Sequence, residues 1–351
     1  MSTVMDAPVA PKAGPRTDAV LQVDDLKTYF YNREGVVHAV DGVSYHVGPG
    51  ETLGVVGESG CGKSITALSI LGLVPKPAGK IVGGHIYFDG RDLVPLSDRQ
   101  MQSIRGNDIS MIFQEPMSSL NPVLTIGDQV SETLVLHQGL SKREATARAQ
   151  EMLDIVRIPD AKRRLDEYPH QLSGGMRQRV MIAMALACKP RVLIADEPTT
   201  ALDVTIQAQI LDLMVTLQRE TSTAIVFITH DLGVVAETCQ RVVVMYAGKK
   251  VEEASVIDLF ERPHHPYTVG LMRSMPGVGG ETRVGGKRQP LMEIRGMVPL
   301  LHDLPPGCAF AGRCPMATDT CRAAIPPLVE YQPGHWSACW YAERAQELLH
   351  V

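Results

Sequence analysis

Thr52-Leu53-Gly54-Val55-Val56 runs directly into Gly57-Glu58-Ser59-Gly60-Cys61-Gly62-Lys63-Ser64, and this stretch decides the fold. Thr52–Val56 reads as a short buried strand, and the apolar run Ile65–Leu73 reads as a helix. Between them lies G-x-x-x-x-G-K-S, and the strand and helix supply the context that this motif needs. Its glycines let backbone N–H groups turn inward around phosphate oxygens, and the following helix N-terminus adds positive potential. Lys63 then faces the β- and γ-phosphates, and Ser64 is placed to ligate Mg²⁺. A chance glycine-rich turn would match this pattern on the order of once per hundred chains of such length. A nucleoside triphosphate site is the expectation.

Outward from this stretch, further short apolar runs read as strands: Asp108–Phe113, Arg191–Ala195 and Ala224–Thr229. Helical segments separate them. Ser141-Lys142-Arg143-Glu144 is a capping box, followed by Ala145, Ala149, Met152, Leu153 and Val156 on one helical face. Apolar strands alternating with helices predict an α/β fold, a parallel sheet covered on both faces.

Two more motifs carry chemistry. The run from Arg191 delivers Asp196 and Glu197 at a strand end. Successive strand residues point to opposite faces, so two adjacent carboxylates cannot both be core. Asp196 suits a Mg²⁺ shell reached through water, and Glu197 suits polarisation of an attacking water. Leu172-Ser173-Gly174-Gly175-Met176-Arg177-Gln178-Arg179 opens a helix over 177–187, with Ser173 as N-cap. Its two glycines leave N–H groups exposed at a positive helix end, a second anion site in the same chain.

Composition sets the wider limits. The chain has 351 residues, where a domain takes roughly 100–200, so two domains are expected. Hydrophobic residues are 44%, charged residues 21%, and the net charge is −5. That is a globular composition, and the acidic balance weighs against life on nucleic acid. No apolar run approaches the ~18 residues of a membrane span, and residues 1–19 lack the apolar core of a signal peptide. Those residues read as a disordered tail, and the chain as neither secreted nor membrane-spanning. After Phe260 the pattern changes: Pro and Gly become dense, from Arg262-Pro263 through Gly279-Gly280 and Gly285-Gly286 to Pro305-Pro306-Gly307. This predicts a second, loop-rich unit of a kind that often needs a staple.

Taken together, the phosphate loop, Gln114, the Ser173 turn, Asp196-Glu197, Ala201-Leu202-Asp203 and His230 fall in one fixed order. This combination resembles the ATP-binding cassette family from about Leu21 to Met272. The resemblance implies that Phe30 stacks on adenine, with neighbouring Tyr29 leaving the register open by one residue. It implies that Gln114 senses Mg²⁺ and the transport subunit, and that Ser173, Gly174 and Gly175 contact the γ-phosphate of a nucleotide held by a partner cassette. Asp203 would join the dimer seam, and His230 would contact the γ-phosphate and orient the water. Chain geometry asks for the same pairing, because the two anion turns lie on separate elements. One ATP is sandwiched between them only across two chains.

Arg262-Pro-His-His-Pro-Tyr-Thr-Val-Gly-Leu-Met272, with Pro276, Gly307-Cys308-Ala309-Phe310 and Arg313-Cys314-Pro315, resembles the extension on importer cassettes of the oligopeptide/dipeptide and nickel type. His264 and His265 look like a metal pair, but the prolines around them favour a fixed loop. Cys308, Cys314, Cys321 and Cys339 are spaced C-x5-C-x6-C-x17-C, which suits a [4Fe–4S] cluster or tetrahedral Zn²⁺. Iron–sulfur is the favoured bound state, His335 is the substitute ligand if the metal is zinc, and four thiols without metal is the alternative to both. Cys61, Cys188 and Cys239 read as packing.

The expectation is therefore an α/β phosphate-loop ATPase domain over 20–272, with a helical insertion at about 115–172. A small loop-rich C-terminal domain over 273–351 completes it. The function expected is ATP hydrolysis driving import of peptides or a similar solute. The partners would be membrane permease subunits, a second cassette (by resemblance a different chain) and an external solute-binding protein. The place would be the cytoplasmic face of the membrane. The rival is a soluble cassette ATPase on nucleic acid or the ribosome; such proteins usually carry two cassettes or a basic surface. The cysteine segment, remote in sequence from Gly57–His230, is expected to leave hydrolysis largely untouched.

Overall fold

Buried β-branched runs make the strands of this protein. Its computed structural model describes residues 14–33, 35–114, 119–200, 202–275 and 294–349. Most of the tail, residues 1–13, and the glycine-dense stretch 276–293 lie outside the described residues.

Leu21–Asn32 (β1) and Gly35–Val47 (β2) pair antiparallel. Thr52–Val56 (β3) then enters a different sheet, while Gly79–Phe88 (β4) and Arg91–Asp92 (β5) complete the first, in order β2-β1-β4-β5. Ile109–Ile112 (β6), Val192–Asp196 (β7), Ala224–Thr229 (β8) and Arg241–Tyr246 (β9) join β3 in the second sheet. The order there is β9-β3-β8-β7-β6, and every one of these pairs is parallel. The four strands expected from sequence are β3, β6, β7 and β8, with ends moved by at most one residue.

Every residue of β3, β7 and β8 is buried, which is why these strands read as continuous apolar runs. Their alternation survives inside the core. Leu53 and Val55 pack toward the antiparallel sheet, whereas Val56 packs into the core shared with the helical insertion. The insertion helices Ile126–Gln138 and Lys142–Ile155 bury Val130, Leu134, Ala145, Ala149, Met152 and Leu153 there. The Ser141 capping box forms as read, with the Glu144 carboxylate accepting from the Ser141 N–H at 3.0 Å.

The C-terminal extension joins the ATPase sheet. Lys249–Ser255 (β10) turns back antiparallel on β9, and the hairpin of Val329–Gln332 (β11) and His335–Ser337 (β12) continues that edge. One buried carboxylate fastens the junction. Glu252, fully buried, accepts from the His264 N–H (2.5 Å), the His265 N–H (3.1 Å), the Thr268 hydroxyl (2.5 Å) and His335 Nε2 (2.8 Å). Four donors offset the desolvation of this carboxylate. The histidine pair is thus a fixed turn, as read: His264 stacks on His335, and His265 caps the helix Pro266–Arg273.

Candidate nucleotide site

Parallel register brings the motifs to one sheet edge. Val56 lies opposite Thr229, and Asp196 lies opposite Ile228, so the phosphate loop, the two carboxylates and His230 leave β3, β7 and β8 side by side. Ligands of open α/β sheets sit at this carboxyl end.

The loop requires its glycines. Gly57 has φ +153° and Gly62 φ +102°; a Cβ would come within 2.2 Å of the Met245 carbonyl oxygen at the first and of the Ala39 carbonyl oxygen at the second. Lys63 is buried across the loop, donating to the Gly57 carbonyl at 2.7 Å and the Glu58 carbonyl at 3.1 Å. An ammonium held by two neutral carbonyls and the Cys61 sulfur at 3.8 Å, with no ion-pair partner among the described residues, is readily claimed by phosphate oxygens. Burial pushes the pKa of the Asp196 carboxylate up, and the nearby Ser64 hydroxyl partly opposes that shift. Asp196 Oδ1 is buried and has no hydrogen-bond partner among the described residues. A hydroxyl beside an unsatisfied buried carboxylate oxygen fits Mg²⁺.

Glu197 stands in the left-handed region at φ +46°, a conformation costing a non-glycine residue about 1–2 kcal/mol. The surroundings hold it there. Its N–H donates to the Ile228 carbonyl at 2.9 Å; Oε2 accepts from Gln114 Nε2 at 3.0 Å and the Thr200 hydroxyl at 2.9 Å; Oε1 lies 3.2 Å from His230 Nδ1. Three residues predicted separately, Gln114, Glu197 and His230, are therefore one hydrogen-bonded group. Thr200 is a member that sequence reasoning missed, although its place three residues after Glu197 is a local signal.

Ser173 caps the helix Gly174–Leu186, accepting from the Met176 N–H at 3.3 Å. Ser173 and Gly174 are exposed, so this second anion turn faces outward. Gly175 lies in a close approach: a Cβ there would stand 3.0 Å from the Ile206 side chain, which would have to shift by a few tenths of an ångström. Asp203 caps the neighbouring helix Val204–Thr221, and Val204 beside it is 83% exposed, an apolar side chain left on the face expected to be the dimer seam. Of the two aromatics expected at adenine, Tyr29 is committed elsewhere: its ring stacks on His38 and its hydroxyl donates to Asp41 at 2.8 Å. Phe30 packs against Gly79, where a Cβ would meet its ring at 2.7 Å.

Cys308, Cys314, Cys321 and Cys339 all line one small cavity beside Phe310, Trp340 and Tyr341. Burial pushes the thiols of Cys314 and Cys339 up to about 11 and about 12, and raises Cys308 as well. Among the described residues, no group of three or more His, Cys, Asp or Glu side chains is gathered tightly enough to hold a metal ion. The thiols surround a cavity rather than converge on a point. The substitute role for His335 is corrected: its Nε2 is bound to Glu252, and it does not border that cavity. Cys61, Cys188 and Cys239 are buried, as read. The cysteine segment, remote in sequence, returns to the phosphate loop in space: Arg313 pairs with the Glu58 carboxylate, and the Tyr267 hydroxyl accepts from the Glu58 N–H at 2.7 Å. Both residues belong to the stretches that resemble the importer extension, but nothing in the sequence signals this contact, since their partner lies more than 200 positions away.

The family described as "ABC transporter" matches residues 40–200, and "Oligopeptide/dipeptide transporter, C-terminal region" matches 251–321. A probable peptide ABC transporter ATP-binding protein of Sinorhizobium fredii is 58% identical over 97% of this chain and 99% of its own. This chain belongs to the ABC transporter ATP-binding family. Other relatives of this cassette are the oligopeptide transport ATP-binding protein AppD of Bacillus subtilis and OppD of Escherichia coli. AppD is 53% identical over 93% of this chain and 98% of its own length; OppD is 47% identical over 99% and 100%. Among solved structures, a dimeric ATP-binding cassette in a post-hydrolysis state bound to ADP and Pi matches with TM-score 0.61 and 30% identity. That match covers 67% of this chain and 98% of the other. The cassette is an ATPase that uses ATP with Mg²⁺. Among the described residues no helix is long and apolar enough to cross a membrane.

Proposed function

We propose that this cassette hydrolyses ATP to drive import of dipeptides or oligopeptides through separate membrane permease subunits. It works from the cytoplasmic face of the membrane, with a second cassette and an external solute-binding protein. The near full-length likeness to peptide transport ATP-binding proteins, extension included, carries this reading. A different chain is the expected second cassette. The ATPase domain is assigned to 20–272, with its insertion at about 115–172, and the extension to 273–351.

At the site, Phe30 stacks on adenine, residues Gly57 to Ser64 wrap the phosphates, and Lys63 meets their β/γ oxygens. Mg²⁺, held by Ser64, Gln114 and Asp196, would neutralise charge on the β- and γ-phosphates. Glu197 accepts a hydrogen bond from the attacking water, whose oxygen bonds to the γ-phosphorus as the link to ADP breaks. His230 steadies Glu197 and reaches the γ-phosphate. Ser173, Gly174 and Gly175 meet the γ-phosphate bound by the partner cassette, and Asp203 lies at the seam. Closure follows when that phosphate bridges two chains, and opening follows its loss.

For the four thiols we propose a [4Fe–4S] cluster in a structural role, supported by their arrangement around one cavity. A single zinc ion would draw all four sulfurs to about 2.3 Å from one point. A cluster instead takes its thiolates at separate corners.

Transport assays test the main reading. The cassette reconstituted with its permease partners in vesicles should accumulate labelled peptide only with MgATP and binding protein. ATPase activity raised by DNA, RNA or ribosomes and indifferent to the permeases would favour the rival class.

A further inference from the structure

The phosphate loop of this protein is touched by a residue 255 positions downstream. Arg313 Nη1 lies 2.6 Å from Glu58 Oε2, and Nη2 lies 2.9 Å from Oε1. This is a bidentate, charge-assisted pair, the arrangement in which a guanidinium outperforms an ammonium. The Arg313 side chain is only 6% exposed. Its remaining donors are used as well: Nη1 on the Tyr246 hydroxyl at 3.3 Å, Nη2 on the Ile294 carbonyl at 3.1 Å, and Nε on the Arg295 carbonyl at 3.2 Å. The Glu58 carboxylate holds this guanidinium firmly protonated.

The element carrying Arg313 is fixed on both sides. The turn from Cys308 to Cys314 is closed by the Ala311 N–H on the Cys308 carbonyl and the Cys314 N–H on the Phe310 carbonyl. Phe310 is buried among Tyr246, Tyr267 and His265. Tyr267 in turn takes the Glu58 N–H, and the Glu58 carbonyl accepts from Lys63. The N–H, carbonyl and carboxylate of one loop residue are thus all engaged, two of them by residues beyond β10.

Charge gives this arrangement a purpose. Glu58 puts a carboxylate into a loop that must receive a highly anionic triphosphate, and like charges at such range repel. We infer that Arg313 is a positioning residue for the nucleotide site: it neutralises Glu58 and fixes the outer turn of the phosphate loop, so that the extension is a working part of ATP binding. The assignment rests on nucleotide use at this loop, which MgATP turnover of the parental protein checks separately.

The test is steady-state MgATP hydrolysis by the full chain assembled with its partner subunits. Arg313→Gln leaves Glu58 unpaired, so KM for ATP should rise about tenfold while kcat changes less than twofold. High salt should shrink the difference. Arg313→Lys keeps the charge without the fork and should fall between. Adding Glu58→Gln to Arg313→Gln removes the stranded charge and should bring KM back to within about threefold of the parental value. A merely structural role predicts the opposite for that double variant, since a second lost partner cannot restore affinity. Unchanged KM in Arg313→Gln, or a rise that Glu58→Gln does not relieve, overturns the assignment. If Arg313→Gln does not fold, Arg313→Lys alone decides it: a KM within twofold of parental and insensitive to salt overturns it, and an intermediate rise that salt relieves supports it.

Discussion

At the phosphate loop, eight consecutive residues from Gly57 to Ser64 carry the geometry, and the close approaches that demand its glycines come from β9 at Met245 and β2 at Ala39. At the junction with the extension, the shell around Glu252 draws on His264, His265, Thr268 and His335, up to 83 positions away in sequence. The loop is a local device that a motif describes. The extension is a long-range device whose residues gain meaning only from what they reach, and among what they reach is the loop itself through Glu58. A site can therefore be announced by one segment and held in shape by contacts from another that no motif announces.

The strongest way to break this comparison is to disable the loop from inside. Lys63→Ala removes the cation proposed to face the β/γ-phosphates and should abolish ATP binding at its own site. Ser173→Arg should spare that binding yet block ATP-dependent closure of the cassette pair, because a bulky side chain then fills the contact with the partner's γ-phosphate. Nucleotide affinity and ATP-driven dimerisation, measured on both variants, should move together in the first and apart in the second. If both lose affinity alike, the two turns do not serve separate nucleotides.

Attacking the extension from its own anchor comes next. Glu252→Ala strands the buried His335 Nε2 and two backbone N–H groups, and loss of such a partner costs about 3 kcal/mol. Urea unfolding should show that loss, with the segment beyond β10 becoming sensitive to protease. Stability within about 0.5 kcal/mol of parental would mean that the carboxylate does not fasten the extension.

The thiols should give the smallest effect on ATP chemistry. Protein prepared without oxygen should be brown, with absorbance near 400 nm and about four iron per chain. Replacing Cys308, Cys314, Cys321 or Cys339 by Ser should lower iron content and raise proteolysis over 300–340. KM for ATP should rise only about twofold to threefold, less than in Arg313→Gln, because the turn that carries Arg313 would loosen without losing its charge. Zinc without visible absorbance would reject the cluster and keep a metal staple. Neither metal would remove the role proposed for the four thiols.

Much of the cassette is legible in the sequence because its signals are local. β3 and β8 take the bounds that apolar runs suggest, and the Ser141 box caps its helix, since burial on both faces and N-terminal capping act within a few residues. The grouping of Gln114, Glu197 and His230 is legible only by resemblance. Nothing in a spacing of 83 residues between Gln114 and Glu197 says that parallel register will set them 3.0 Å apart. The partnership of Arg313 with Glu58 is not legible at all, because an ion pair leaves no periodicity. His335 illustrates the converse error: nearness in sequence to Cys339 suggested a ligand, while β-pairing of Glu252 with Ser337 delivers it to a carboxylate.

The central claim is that this site hydrolyses ATP through a water polarised by Glu197, which Gln114, Thr200 and His230 hold in place. Glu197→Gln in the assembled transporter tests it most directly, because the amide keeps the shape and removes the charge. ATP affinity should stay parental, turnover should slow by about 10² or more, and the cassette pair should stay trapped closed on ATP. A variant that binds ATP and hydrolyses it at near the parental rate would contradict it.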